Sequence, residues 1–251
     1  MLPGPRADCC RRSAQSSVRQ FRTTVETEPA QTITRQTSLK NYTDLYTFSM
    51  AARAKRTSHR PASARERIEH AAYELFSRHG IRAIGVNTLA ERAGVAKMTL
   101  YKHYPSKDAL ALAFLRRREE LWTRSWLQRE VEHRARTPRA KLLAVFDAFD
   151  RWFQRADYEA CSFAKALLEH DERGHPVRNA AVRHIETILA FITELAEAAG
   201  VRDADEFARQ WLMLMMGCIV FAYAGDLRAA QRAKNAGAAL LACEGKRGRA
   251  A

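Results

Sequence analysis

The sequence predicts an all-α protein: an N-terminal three-helix head containing a helix-turn-helix, followed by a larger helical C-terminal domain. Three observations carry that prediction. From residue 63 onward apolar residues recur at helical spacing, bounded by capping residues and glycines. Strand signals are few. Residues 85–107, G-V-N-T-L-A-E-R-A-G-V-A-K-M-T-L-Y-K-H-Y-P-S-K, hold two short amphipathic stretches joined by a glycine turn.

Composition bounds the function classes. A chain of 251 residues, 47% hydrophobic, has room for one large or two small domains with a substantial core. The formal net charge of +14 favours a polyanionic partner. Cys9, Cys10, Cys161, Cys218 and Cys243 form neither a C-x-x-C pair nor a metal spacing, and an odd, scattered set fits a reducing compartment, the cytoplasm. The most apolar run, Trp211 to Ala224, falls short of the roughly 20 residues a membrane span needs, so it reads as a buried helix and no membrane partner is expected. No H-E-x-x-H, G-x-S-x-G, Walker loop or G-x-G-x-x-G occurs, so an enzyme has no residues to stand on and no cofactor is expected.

Residues 1–60 read as a disordered, basic extension. Positions 1–49 are rich in Arg, Ser and Thr and poor in periodic apolar residues. They resemble a transit peptide, but an over-long translation start, with Met50 as initiator, is favoured. Residues 51–61 form a basic arm suited to sequence-blind contact with a nucleic-acid backbone, or simply to solvent.

Residues 61–108 make the head. Ser63 and Glu66 form a capping box, and Ile68, Ala72, Leu75 and Phe76 line one face of a helix ended by Gly80. Val86, Leu89, Ala90 and Ala93 share the inward face of the next helix, which Gly94 terminates. Leu100 and Tyr104 point inward on the third. Its outward side offers Lys97, Thr99, Tyr101, Lys102 and His103, all able to reach phosphate or base edges of double-stranded DNA. Ser106 caps a fourth helix with Lys107 in its first turn, where a cation fits the helix dipole poorly and an anionic partner such as phosphate is expected.

The run A-E-R-A-G-V-A-K-M-T-L-Y-K-H-Y-P-S-K-D-A-L resembles the DNA-binding signature of the tetracycline-repressor (TetR) family of bacterial transcription regulators. It is long and gapless and follows a capped amphipathic helix. One departure is Gly85, where the family usually has Ser or Thr. The segment Y-E-A-C-S-F-A-K-A-L-L-E resembles, more loosely, a regulatory-domain pattern of one family branch, with Ala160 in place of the usual Gly before Cys161. The resemblance spans roughly residues 63–243. It implies a homodimeric, ligand-responsive repressor on a palindromic operator, with a helix after the head transmitting the signal.

Residues 109–244 read as the effector-binding and dimerisation domain. A helix from Ala109 to about Arg129 turns Leu112, Leu115 and Leu121 inward, and its run Arg116, Arg117 and Arg118 reads as a solvated face. Thr137 and Pro138 open the next helix. A short helix follows from Cys161 to His170, then a turn-rich break, a long helix from Val177 to Ala199, and one opened by Asp203 and Glu206. The last carries Ala229, Ala233, Ala236 and Gly237, which permit close helix approach. Residues 245–251 are a basic tail. Candidate lining for an apolar pocket for a small-molecule effector is Trp122, Trp126, Phe149, Trp152, Phe153, Cys161, Phe163 and Met213, although aromatics at helical spacing more often form core. The last two helices are apolar on more than one side and predict a homodimer interface. His170, Asp171 and His175 are the one local cluster of possible ligands, in a spacing that matches no metal site, so no metal is expected. Two other readings of the residues remain: a nonspecific architectural DNA-binding protein, and a carrier whose head is vestigial.

Overall fold

The computed structural model describes residues 62–247, and every regular element among them is helical. The expected extension, its basic arm and the end of the tail lie outside the described residues. The helices are α1 (Ala64–His79), α2 (Val86–Ala93), α3 (Lys97–His103), α4 (Lys107–Glu119), a π-helical stretch (Glu120–Leu127), α5 (Gln128–Arg134), α6 (Pro138–Phe153), α7 (Ser162–Glu169), α8 (Pro176–Ala198), α9 (Ala204–Tyr223) and α10 (Ala229–Arg247).

Local chemistry explains where these helices start. The Glu66 amide donates to Ser63 Oγ and the Ser63 amide to Glu66 Oε2, at 3.2 and 2.8 Å, satisfying orphan donors of α1 reciprocally. Ser106, Thr137 and Asp203 each accept an amide of the first turn of α4, α6 and α9. His175 does the same for α8 through Nδ1, with Pro176 preset at the first helical position.

Between Glu120 and Leu127 the expected straight helix widens into π geometry before resuming as α5, so it runs on to Arg134. A wider turn rotates the side chains that follow it. Here it sets Trp122 against Trp126 and Trp152, with ring centroids 4.4 and 3.9 Å apart.

Two apolar clusters hold the molecule together. One joins α1–α4 to Phe163 and Ala166 of α7 and to Val177 and Ala181 of α8, so the core of the head is shared with the body. The other fills the bundle of α5, α6, α8, α9 and α10 around Phe146, Phe149, Phe153, Ile192 and Trp211. Burying such a side chain contributes about 1.5–3 kcal/mol. Gly237 faces this second core, where an added Cβ would lie 2.7 Å from the Trp211 ring. Ala229 and Ala233 are buried on the same side, so of the small residues expected at a partner face Ala236 is exposed.

The arginine run departs from expectation. Arg116 is exposed, but Arg118 is only 8% exposed, with its guanidinium over the rings of Tyr73 and Trp122 and Nη1 donating to the Tyr73 hydroxyl at 2.8 Å. Helix α4 is packed on both sides, by α1 and by α7 and α8, which leaves the third arginine no solvent to reach.

Candidate functional site

The head presents its third helix outward. Gly94 adopts φ 61° and ψ 43°, a left-handed conformation that costs glycine little, and the Val95 amide closes the turn onto the Ala90 carbonyl at 3.0 Å. Leu100 and Tyr104 are buried, which turns Lys97, Tyr101, Lys102 and His103 to solvent and leaves Thr99 half-buried. Met98, 77% exposed on the same side, escapes a search confined to hydrogen-bonding residues. An exposed methionine there can meet a thymine methyl.

Polar contacts fix how α3 sits. Arg67 Nε donates to the Ala93 carbonyl at 3.0 Å, Arg92 Nε to Glu74 Oε2 at 3.0 Å, and the Tyr104 hydroxyl to Glu69. Burial, then the bond to Glu69, pushes the Tyr104 hydroxyl up to about 12. Burial works against the Glu69 carboxylate, but bonds from Tyr104 and Arg65 outweigh it and hold the group below its ordinary value. Among the described residues Lys107 forms no ion pair: Nζ donates to the Arg82 carbonyl at 3.2 Å, and burial, which outweighs the nearby Asp108 and Glu169, lowers its pKa.

Helix α7 grips the head from the body side. Lys165 Nζ donates to the Ser77 and Arg78 carbonyls at 3.0 and 3.4 Å, which lie at the C-terminal end of α1 where helical acceptors run out. Glu169 Oε2 accepts the Ile81 and Arg82 amides at 2.8 and 3.0 Å. A Cβ at Gly80 would fall 1.8 Å from Glu169 Oε1. Glycine at position 80 is what lets the carboxylate come so close.

The other end of α7 borders a cavity between α4, the π-helical stretch, α6, α8 and α9. It is a narrow cavity of about 60 Å³. The expected residues Trp122, Phe149, Trp152, Cys161 and Phe163 line it. Three others do not. Phe153 lies in the core, and Trp126 packs behind Trp122 and Trp152. Met213 is 71% exposed, because Leu212, Met215, Met216 and Ile219 form the cavity face of α9 and position 213 points away.

Sequence reasoning passed over the polar lining residues Arg118, Thr123, Ser162 and His184. The His184 ring stacks on Phe163 at 3.4 Å and 7°, and desolvation depresses its pKa to about 4, so the imidazole is neutral. Ser162 Oγ and His184 Nδ1 are buried with no hydrogen-bond partner among the described residues. Burial raises the Cys161 thiol above its ordinary value, which favours the protonated form. Just before it, Ala160 holds φ 62°, a conformation L-residues seldom adopt.

Elsewhere, α9 exposes Met213, Val220, Phe221 and Tyr223, and α10 exposes Ala236, Ala238, Ala239 and Ala242. His170 Nδ1 pairs with the Ala166 carbonyl at 2.9 Å, while His175 Nδ1 caps α8 and Nε2 approaches Asp108 at 3.4 Å. Among the described residues no group of three His, Cys, Asp or Glu could hold a metal. No described helix is long and apolar enough to cross a membrane.

Comparison with known proteins agrees with the geometry of the head. A family profile described as bacterial regulatory proteins, tetR family, matches residues 68–114. The HTH-type transcriptional regulator YjdC of Escherichia coli is 27% identical over 158 residues, covering 62% of this chain and 81% of its own. The HTH-type transcriptional activator FasR of Mycolicibacterium smegmatis is 40% identical over 108 residues, 42% of this chain and 40% of that one. Among solved structures, a TetR-type regulator from Streptomyces avermitilis superposes with a TM-score of 0.60 at 29% identity, covering 73% of this chain and 98% of its own. One from Streptomyces coelicolor gives 0.67 at 24% identity, with coverage of 72% and 95%, and shares the fold.

Proposed function

We propose, from the premise that this chain is a DNA-binding transcriptional regulator of the TetR family, that it works as a ligand-responsive repressor. In this reading two copies pair through the exposed apolar side of α9 and the alanine side of α10 as a four-helix interface. Each copy lays α3 in a major groove, with Lys97, Thr99, Tyr101, Lys102 and His103 toward the bases and backbone. The two heads then sit about 34–36 Å apart, or a multiple of that, on a palindromic operator. Lys107 keeps ammonium donors beyond its bond to Arg82 for a phosphate.

The observation that carries ligand control is the reach of α7. Its first residues line the cavity and its last ones hold the turn between α1 and α2. A ligand that favours one position of α7 biases the heads through its differential affinity for the two arrangements. Activation is the second reading, supported by the relative named an activator.

Fluorescence anisotropy tests the proposal against DNA from upstream of the chain's own gene, with a scrambled duplex at the same salt. Preference of at least about 10³ is expected. Tyr101→Ala should abolish the preference, while Lys102→Ala weakens both duplexes alike if it holds phosphate. Equal, weak binding to both would favour the architectural reading. A folded protein that binds no duplex at low salt would end the proposal. A cavity ligand that weakens operator binding supports repression with release, and one that tightens it supports the second reading.

A further inference from the structure

The cavity also says what kind of molecule it takes. Its wall is mostly aromatic and aliphatic, but three of its polar residues gather around the N-terminus of α7. Ser162 is the first residue of that helix, His184 stacks on its neighbour Phe163, and Arg118 lies close enough to influence the Cys161 thiol. Two of these groups are unfinished. Ser162 and His184 are 4% and 8% exposed, and Ser162 Oγ and His184 Nδ1 have no hydrogen-bond partner among the described residues. Leaving a buried polar atom unpaired is costly, so two at one end of one cavity mark where a ligand's polar atoms belong.

The sign of that end is positive. Among the described lining residues Arg118 carries the formal charge and no carboxylate is present. Helix α7 adds the positive end of its dipole, and Cys161 caps it without a side-chain hydrogen bond. An ammonium head would meet a guanidinium and a helix N-terminus, whereas an anionic oxygen is attracted by both.

We infer that the ligand is a small apolar carboxylic acid, its carboxylate held by Ser162 Oγ, His184 Nδ1 and the Arg118 guanidinium, and its body between Trp122, Phe149 and Trp152. The inference rests on the reading of this cavity as the effector site. Ser162 donates its hydroxyl proton to one carboxylate oxygen. The neutral imidazole donates from Nδ1 by taking the tautomer that leaves Nε2 bare. No proton is transferred.

Four probes of equal length test it: 3-phenylpropionate, 3-phenylpropanamide, 3-phenylpropanol and 3-phenylpropylamine. Binding to the full chain is read by quenching of tryptophan fluorescence, since Trp122 and Trp152 line the cavity. The acid is expected to bind at least about 10-fold more tightly than the other three, as hydrogen bonds to a charged group outweigh neutral ones. Ser162→Ala and His184→Leu should each lose about 10-fold for the acid and little for the alcohol. Both variants should melt no lower than the parent at pH 7, since each removes an unpaired polar atom.

Equal binding of acid, amide, alcohol and amine would overturn the carboxylate assignment and leave the effector cavity standing. So would acid binding that both variants leave unchanged, because the acid would then sit elsewhere. Failure of every probe to bind the folded protein would overturn the effector reading and this inference with it.

Discussion

The two ends of helix α7 are built in opposite ways. From its middle to its C-terminal end Lys165 and Glu169 close onto backbone groups of the head, bonding carbonyls of α1 and amides of the turn after it. At its N-terminal end Ser162, with His184 beside it, faces an apolar cavity with nothing to bond among the described residues. The completed and the incomplete contacts lie within one helix of eight residues. In the proposed reading, a displacement at the open end of so short a helix is passed to the closed end. The lesson is energetic: polar groups are satisfied where α7 meets the head and left open where it meets the cavity, which is where the proposed effector would act.

The largest expected effect comes from breaking the closed end. Gly80→Ala places a methyl carbon where Glu169 Oε1 sits and forces an alanine to φ +84°. A loss of about 2–4 kcal/mol is expected in urea unfolding, combining backbone strain with the displaced carboxylate. Glu169→Ala in the same chain separates these two contributions. It removes the clash and leaves the strain, so the double variant should be more stable than the sum of the single losses by at least about 1 kcal/mol. Strict additivity would show that the carboxylate and the turn are energetically independent, and the proposed grip would fail.

A smaller effect probes the open end through pH. An unfolded His184 takes up a proton as pH falls through 6.5, while the folded one stays neutral to about 4. The unfolded state therefore binds more protons across that window, and stability is full above pH 6.5 and declines toward pH 4. Between pH 7 and 5 the expected loss is about 2 kcal/mol. His184→Leu keeps an apolar side chain of similar bulk and should remove this part of the decline. An identical pH profile in parent and variant would mean that the imidazole is not held neutral by burial.

Legibility in the sequence divided along the same line. The head lies in one contiguous run, so spacing alone placed Gly94 at the turn, Leu100 and Tyr104 inside, and Lys97, Tyr101 and Lys102 outside. The cavity draws its wall from α4, the π-helical stretch and α6 to α9, and no spacing within one helix reveals which faces converge. Aromatic, cysteine and methionine positions at helical spacing point to Trp122, Phe149, Trp152, Cys161 and Phe163. That pattern passes over Ser162 and His184, whose interest lies in lacking a partner, a property of three-dimensional surroundings. A charge run such as that ending at Arg118 normally marks solvent, and only the packing of α4 on both sides excludes it here. On α9 apolar residues cover nearly every face, so the phase that sends Met213 outward and Met215 inward left no trace in the pattern.

The smallest expected effect sits beside the open end, at Ala160. The loosely matched regulatory segment places alanine where glycine is usual, and the structure shows what that position requires: φ 62°, immediately before the cap of α7. A β-carbon at such a φ costs about 1–2 kcal/mol, and glycine avoids it. Glycine also gives the unfolded chain more freedom, which offsets about 0.5–1 kcal/mol of the gain. Ala160→Gly should therefore stabilise by roughly 0.5–1 kcal/mol in urea unfolding at neutral pH. Ala160 also lines the cavity, so the same variant removes a methyl group from the wall beside Cys161. If 3-phenylpropionate then binds with unchanged affinity while stability rises, the strain belongs to the backbone alone. If stability falls instead, the left-handed turn is not strained by its alanine, and the packing of that methyl group against the cavity wall outweighs whatever glycine relieves.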